Sequence, residues 1–224
     1  MRIDEVVSED VDMNKVKEFI LTKCKDSLKV QPIWRGINTD DKYIHVNTSQ
    51  SPLRASANTM NYVHLFINGM KAWKSFPRRQ VICTSDRMYA SGYGRMYRVF
   101  PVDGTIIGIC PSMDFWQLPY LKAQTKLNVE QLDGEIYVAG KRLLKRQPDN
   151  KTVEGFYQDL HEIVELDKDS IVAKLDDLLD PIKNQLRTTP IGSFSAGRQE
   201  VWFDGEAMIV AEKETWKLGI KEFR

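Results

Sequence analysis

Cysteine is scarce in this chain of 224 residues, which contains only Cys24, Cys83 and Cys110. Their odd number and wide spacing give no Cys-x-x-Cys pair and no Cys/His cluster. The sequence therefore predicts neither a disulfide framework nor a metal site. Free cysteines of this kind are typical of a reducing compartment, and a cytoplasmic location is what we expect.

Long apolar runs are also missing from the sequence. No run approaches the ~20 residues that a membrane-spanning helix needs. The first five residues, Met-Arg-Ile-Asp-Glu, lack the basic-then-apolar order of a signal peptide. We therefore expect no membrane partner.

The chain has almost no net charge, because 32 basic and 31 acidic side chains nearly cancel. A protein that coats nucleic acid through bulk electrostatics has a strong basic excess, so the balance argues against that class and leaves a local basic site open. The hydrophobic content of 42% is enough for a sizeable core. We predict a single domain over residues 1–224.

Periodicity predicts helices early in the chain and again before its end. Asp10 or Asp12 is placed to cap the first helix, and Asp86 to cap a short one. The other predicted helices cover residues from about 56 to 73, a segment around 115–122, the stretch that carries Val153 to Ile163, and the stretch from Ile171 to Leu186 with a bend at Pro181.

Strands are predicted in separate groups, with residues 37–54 interpreted as a loop. They cover 30–36, 80–85, 96–100, 105–110, 135–138, 201–203, 207–210 and 216–220. Asp204-Gly205 suits a tight turn, which predicts a hairpin between the strands on either side of it. Helices and strands do not alternate regularly, so the predicted fold class is α+β.

Three short segments carry the residues that could do chemistry: Trp34-Arg35-Gly36, Cys83-Thr84-Ser85 and Gln199-Glu200-Val201. The order of these segments resembles the Arg–Ser–Glu class of ADP-ribosyltransferases, in which a strand with Arg is followed by a strand with Ser/Thr and then by a late strand with Glu. The middle segment continues through a capped helix, Gly92-Tyr93-Gly94 and the strand Tyr97 to Pro101. This unit is similar to the family's central strand–helix–strand unit and to bacteriophage proteins of this size.

The resemblance implies a split β-sheet core with flanking helices and an NAD-dependent transferase. The enzyme would modify a macromolecular acceptor, either a host protein or a nucleic acid, and would be phage-encoded and act in the host cytoplasm. Transfer from NAD breaks the nicotinamide–ribose bond through a transition state with oxocarbenium character. Glu200 would stabilise the developing positive charge and hold a ribose hydroxyl, as the family's catalytic carboxylate does.

The resemblance assigns the remaining site residues by position. Arg35 would bind the NAD pyrophosphate, a role that suits a guanidinium. Thr84 and Ser85 would shape the nicotinamide-ribose site and orient the glutamate, and Tyr93 would stack on the nicotinamide ring. The glycine-containing loop 188–198, with Phe194 expected to be exposed and Arg198, would contact the acceptor.

Two departures from the family pattern leave the acceptor open. Cys83 stands where many members have Ser, and Arg198 stands two residues before Glu200, where arginine-modifying members have Glu or Gln. These departures weaken the case for arginine as the acceptor.

Each motif also has an ordinary structural explanation when it is taken alone. The alternative function is a non-catalytic binding protein with the same fold, either an inhibitor of a host factor or a virion component. Phosphate chemistry on RNA ends is a third possibility, but it needs basic site residues that the sequence does not identify. We interpret Arg78-Arg79 as surface charge, with phosphate contact as the alternative.

Overall fold

The computed structural model describes residues 12–52, 54, 59–195 and 197–220. They fall into two compact units. The first contains the described residues up to 52, Pro77–Met113, and those from 188 onward, and the second contains the described residues of Arg54–Phe76 and Asp114–Arg187. The prediction of a single domain over residues 1–224 stays a prediction.

The strands form one eight-stranded sheet, and every strand pair with an assigned register is antiparallel. The strands are β1 (Ile33–Ile37), β2 (Tyr43–Asn47), β3 (Val81–Thr84), β4 (Arg95–Pro101), β5 (Ile106–Ile109), β6 (Arg187–Pro190), β7 (Glu200–Phe203) and β8 (Glu206–Ala211). Their order across the sheet is β2-β8-β4-β1-β3-β7-β5-β6.

Nine α-helices accompany the sheet in the described part of the chain, so the predicted α+β class is confirmed. They are α1 (Met13–Lys23), α2 (Lys25–Leu28), α3 (Tyr62–Gly69), α4 (Arg87–Ser91), α5 (Pro119–Thr125), α6 (Val129–Leu143), α7 (Val153–Leu166), α8 (Leu175–Leu178) and α9 (Glu212–Lys217). None of the described helices is long and apolar enough to cross a membrane.

Near the middle of the sheet, β1 and β3 are weakly paired. β1 and β3 meet at one register position, Trp34 opposite Thr84, whereas β1 and β4 pair over five positions. The Arg35 side chain adds a second link, because its Nη1 donates to the carbonyl of Ile82 in β3 at 2.9 Å. Arg35 therefore helps to hold β1 and β3 together where their backbones share few hydrogen bonds.

Side chains alternate between the two faces of a strand, and the registers assign each residue to a face. We call one face of the sheet the inner face. It carries one large buried cluster that includes Ile33, Cys83, Val99, Val201 and Phe203. The opposite face, called the outer face, carries Phe100, Met208 and Val210, which pack with Val16 and Ile20 of α1 in a second cluster.

The second unit is helical. Asp133 of α6 binds the start of α3, because its carboxylate accepts hydrogen bonds from Met60 N (2.7 Å) and Val63 N (2.9 Å). The first N–H groups of a helix have no partner within the helix, so the bond from Val63 satisfies one such group, while the bond from Met60 holds the segment that precedes the helix. In the basic run at 141–146, Arg142 and Arg146 form ion pairs with Asp167 and Asp159.

Several sequence predictions of strands are wrong. Residues 37–54 contain β2, whose Ile44 and Val46 alternate with exposed polar residues, the pattern of a half-buried strand. Residues 135–138 lie in α6, which starts at the Asn128 capping box. Of residues 216–220, the first two lie in α9, whose first turn carries Glu212 and Glu214, and the others follow it without forming a strand.

The predicted hairpin at Asp204-Gly205 is also wrong. β7 and β8 are joined by these residues but do not pair, because β7 lies between β3 and β5 and β8 lies between β2 and β4. A type I′ turn needs positive φ at both central residues. Gly205 has φ 133°, but Asp204 is not among the described residues with positive φ. Asp204 instead accepts hydrogen bonds from Arg78 and Thr48.

Helix boundaries differ from the predictions in two places. α3 begins at Tyr62, after Asn61 in the left-handed region with φ 68°, and the predicted positions 56–58 lie outside the described residues. The predicted helix over 171–186 is a 3-10 helix (Ile171–Lys174) followed by the short α8. It ends before Pro181, which cannot donate a helical hydrogen bond.

Candidate functional site

The three sequence motifs lie on three neighbouring strands of the sheet. Arg35 is in β1, Thr84 ends β3 and Glu200 begins β7, and the spatial order of these strands is β1-β3-β7. Thr84 and Glu200 occupy directly opposite register positions. Consecutive motifs, which are 49 and 116 residues apart in the sequence, thus lie on adjacent strands in the fold.

Glu200 is buried, with 6% of its surface exposed, and its carboxylate forms an ion pair with Arg79. The distance from Arg79 Nη2 to Glu200 Oε1 is 2.5 Å, and both side chains are removed from solvent. Hydrogen bonds between ionised groups are among the strong ones in proteins. The pair thus places a negative and a positive charge together in a buried position on the outer face of the sheet.

Trp202 belongs to the same arrangement. It follows Glu200 by two residues in β7, so both side chains project to the outer face. The guanidinium carbon of Arg79 lies 5.4 Å from the centre of the Trp202 ring, and Trp202 Nε1 donates to Pro77 O at 3.0 Å. A Cβ at Gly108 would come within 2.1 Å of the indole, so glycine there leaves space for the ring.

Arg35 lies on the other face of the sheet. It stands between Ile33 and Ile37 of β1 and opposite Tyr97 of β4, all of which belong to the inner cluster. Burial lowers the pKa of its guanidinium and the neighbouring Cys83 acts in the opposite direction, although arginine stays charged in proteins. The structure therefore brings Thr84 and Glu200 together but places Arg35 on the opposite face.

Ser85 holds the backbone that leads into Glu200. Its Oγ donates to Gly197 O and accepts from Gln199 N at 2.9 Å, and its own N–H donates to Gln199 O at 3.0 Å. Thr84 Oγ1 adds a bond to the same Gln199 carbonyl at 3.2 Å. Thr84 and Ser85, both predicted to bind the cofactor, thus hold the backbone that precedes Glu200 and so orient the strand that carries it.

Asp86 connects this segment to α4. Its carboxylate caps the helix by accepting from Tyr89 N at 3.0 Å, and it forms an ion pair with Arg198 at 2.5 Å. The N–H of Tyr89 and the guanidinium of Arg198 hold the pKa of Asp86 below its ordinary value. The Arg198 side chain is 75% exposed, so it remains at the protein surface while it is tied to Asp86.

Tyr93 lies beside β1 on the outer face. Gly36 has no Cβ, and an added one would meet Tyr93 Cβ at 2.8 Å, so the tyrosine packs directly against the strand. The residue is 59% exposed, and its ring contacts that of Tyr89 edge to face with 5.5 Å between the ring centres. An exposed aromatic ring on the same face as Thr84 and Glu200 can stack on a flat ligand.

The expectation that Phe194 is exposed is wrong. Only 3% of its surface is accessible, and its ring belongs to the inner cluster with Ile191. A large aromatic side chain in a glycine-containing loop gains more from burial than from exposure whenever the loop folds back on a core. Of the two residues predicted to contact the acceptor, Arg198 alone lies at the surface.

Arg79 is the site residue that sequence reasoning missed. The interpretation of Arg78-Arg79 as surface charge is wrong for Arg79, whose side chain is only 4% exposed. Arg78 pairs with Asp204 and Arg79 with Glu200, and both residues precede β3, so no strand pattern in the sequence separates the two neighbours. Within the described residues, no group of three or more His, Cys, Asp or Glu side chains could hold a metal ion.

Comparison with protein-family models, with curated proteins and with solved structures found no match for the chain.

Proposed function

We propose that the protein is an NAD-dependent ADP-ribosyltransferase that modifies a macromolecular acceptor, either a protein or a nucleic acid. The observation that carries the proposal is the adjacency of the three motifs, which lie on neighbouring strands in the order Arg, Ser/Thr, Glu. The family resemblance requires this adjacency. Because the motifs are far apart in the sequence, the adjacency arises only from the fold. The proposal includes the ADP-ribosyltransferase-like fold and a bacteriophage origin, both of which rest on the resemblance.

The proposed reaction takes place at the carbon that joins ribose to nicotinamide. The bond to the pyridinium nitrogen breaks, its electron pair goes to that nitrogen, and nicotinamide leaves as a neutral molecule. Positive charge develops on the sugar, and the carboxylate of Glu200 stabilises it. A nucleophilic atom of the acceptor then bonds to the sugar carbon and loses its proton.

In the proposal, the nicotinamide end of NAD binds at the outer face. Tyr93 presents an exposed ring, and Thr84 and Glu200 share that face of the sheet. Arg35 does not lie on this face, and its observed contact is with Ile82 O. Its proposed role at the pyrophosphate is therefore supported by the resemblance alone, while the geometry supports a role in joining β1 to β3.

One observation favours the second candidate, a binding protein that keeps the fold without the reaction. The Glu200 carboxylate is paired with Arg79 and lies on the face opposite Arg35. A protein that only binds a host factor, or that serves in a virus particle, needs no carboxylate directed at a sugar. In that case the Arg79–Glu200 pair is purely structural.

The deciding experiment incubates the purified protein with NAD labelled in its adenylate part and a bacterial lysate, and then separates protein from nucleic acid. Glu200→Gln keeps an oxygen that can accept from Arg79, so the fold should persist while transfer is lost. Glu135→Gln makes the same change at an exposed position of α6 and serves as the control.

Label in either fraction with the wild type and the control, but not with Glu200→Gln, supports the transferase. Label with Glu200→Gln at the wild-type level contradicts the mechanism. Absence of label in all samples, together with NAD failing to raise the melting temperature, favours the binding protein, since a ligand of the folded state raises that temperature.

A further inference from the structure

Arg79 has a structural relationship with the proposed catalytic carboxylate that the sequence motifs do not include. We propose that Arg79 is a positioning residue that fixes the Glu200 carboxylate for the reaction, an inference that rests on the proposed function. It acts through Glu200 and has no direct role at the sugar. The supporting observations are the 2.5 Å contact between Arg79 Nη2 and Glu200 Oε1 and the burial of both side chains.

The backbone of Glu200 is already fixed on both sides. Its N–H donates to Ser112 O at 2.8 Å, its carbonyl accepts from Cys110 N at 2.9 Å, and the residue lies in register with Thr84. What remains variable is the set of side-chain torsions, which place the carboxylate in different staggered positions. The contact with Arg79 selects among these positions.

Arg79 is itself held in place before any ligand binds. Its guanidinium lies over the Trp202 ring, and the ring is fixed by its hydrogen bond to Pro77 O. Gly108 on β5 leaves the space that the indole occupies. A reactive group is accurate only when its supporting residues are locked by packing and hydrogen bonds, and this series of contacts meets that condition.

An opposite effect of Arg79 is also physically conceivable. A cation beside Glu200 weakens the negative potential that stabilises a positive sugar, since Coulomb interactions in a buried site are only partly screened. Positioning predicts that removal of Arg79 slows the reaction, and inhibition predicts that removal speeds it. The sign of the change in kcat therefore distinguishes the two.

The test measures kcat and KM for nicotinamide release from NAD by the full chain. For Arg79→Met we expect kcat to fall about 10²-fold, the effect of misplacing a catalytic group by about 1 Å. KM for NAD should stay within about twofold, because Arg79 does not contact the substrate. Arg79→Lys keeps the charge but loses the planar guanidinium, so its kcat should lie between that of the wild type and that of Arg79→Met.

The control variant is Arg142→Met, which removes an exposed arginine paired with Asp167 in the second unit. It should leave kcat and KM unchanged. A wild-type or higher kcat for Arg79→Met overturns the inference. Where Arg79→Met does not fold, Arg79→Lys carries the kinetic test, and a wild-type kcat for that variant overturns the inference as well.

A double-mutant cycle separates failure of this inference from failure of the proposed function. The unfolding free energies of Arg79→Met, Glu200→Gln and the double variant should be non-additive, with the double variant more stable than Arg79→Met alone. Additive values overturn the inference. If the values are non-additive and the wild type does not turn over NAD, the proposed function and the catalytic role of Glu200 are overturned. The non-additive values would still establish that Arg79 fixes Glu200.

Discussion

Ser85 and Gln199 bind each other reciprocally, since the Ser85 N–H donates to Gln199 O and the Gln199 N–H donates to Ser85 Oγ. The pair joins the end of β3 to the residue that precedes Glu200. Glu200 itself is in register with Thr84, the neighbour of Ser85. The position of the proposed catalytic residue therefore depends on a serine that need not contact NAD.

Ser85→Ala tests this dependence. The substitution removes the acceptor for Gln199 N and the donor to Gly197 O, so we expect a loss of about 1–3 kcal/mol in unfolding free energy. Urea titration measures the loss, and the same variant should lower the rate of label transfer. Ser91→Ala removes an exposed serine whose Oγ bonds locally to Met88 O, and it should change stability by less than about 0.5 kcal/mol. Equal stability of the two variants would contradict the prediction.

Arg35→Met separates the two roles of Arg35. Because the guanidinium donates to Ile82 O across the weakly paired β1 and β3, we expect a loss of about 1–3 kcal/mol in unfolding free energy. NAD affinity, measured by calorimetry in conditions where the variant is folded, should change little if the structural role is the whole role. A large rise in the NAD Kd with unchanged stability would instead support the pyrophosphate contact that the resemblance implies.

The sequence predicts strands well where apolar residues are dense, but it does not predict which strands pair. β1, β3, β4 and β7 were all found near their expected positions. The hairpin at Asp204-Gly205 was wrong because turn propensity is local, while pairing is decided by side chains that arrive from elsewhere. Here Arg78 and Thr48 bind Asp204 and direct the chain to another part of the sheet.

For the candidate site, residue order predicts the adjacency of the motifs but not the directions of the side chains. One position along a strand reverses the face, which is why Arg35 and its neighbour Gly36 face opposite sides of the sheet. Arg78 and Arg79 lie before β3 begins at Val81, so no strand pattern in the sequence indicates that Arg79 is the buried one of the two. Phe194 was misplaced for a different reason, since loop composition indicates mobility but not whether a core lies within reach of the ring.

Gly108→Ala tests the packing that supports Arg79. The new methyl group would lie 2.1 Å from Trp202 Cε2, so the indole must move and its bond to Pro77 O must weaken. Overpacking of this kind costs about 1–3 kcal/mol, and a shift in tryptophan fluorescence should accompany the loss. Gly134→Ala is the control, because it lies inside α6 with open space around it and should stabilise by about 0.5–1 kcal/mol. A neutral Gly108→Ala would show that the indole is not tightly held.

Asp133→Asn tests the cap of α3 through its pH dependence. Burial raises the pKa of Asp133 above its ordinary 3.8, and the N–H groups of Val63 and Met60 lower it only in part. The folded state therefore keeps this proton to higher pH than the unfolded chain does. The carboxyl's contribution to stability falls as the pH rises through the pKa of the unfolded chain and then through that of the folded state. Asparagine does not titrate. The unfolding free energy of the wild type minus that of the variant should decrease as the pH rises through and above the ordinary pKa of 3.8. Asp169→Asn, at an exposed position, should follow the wild type, and parallel curves for wild type and Asp133→Asn would contradict the assignment.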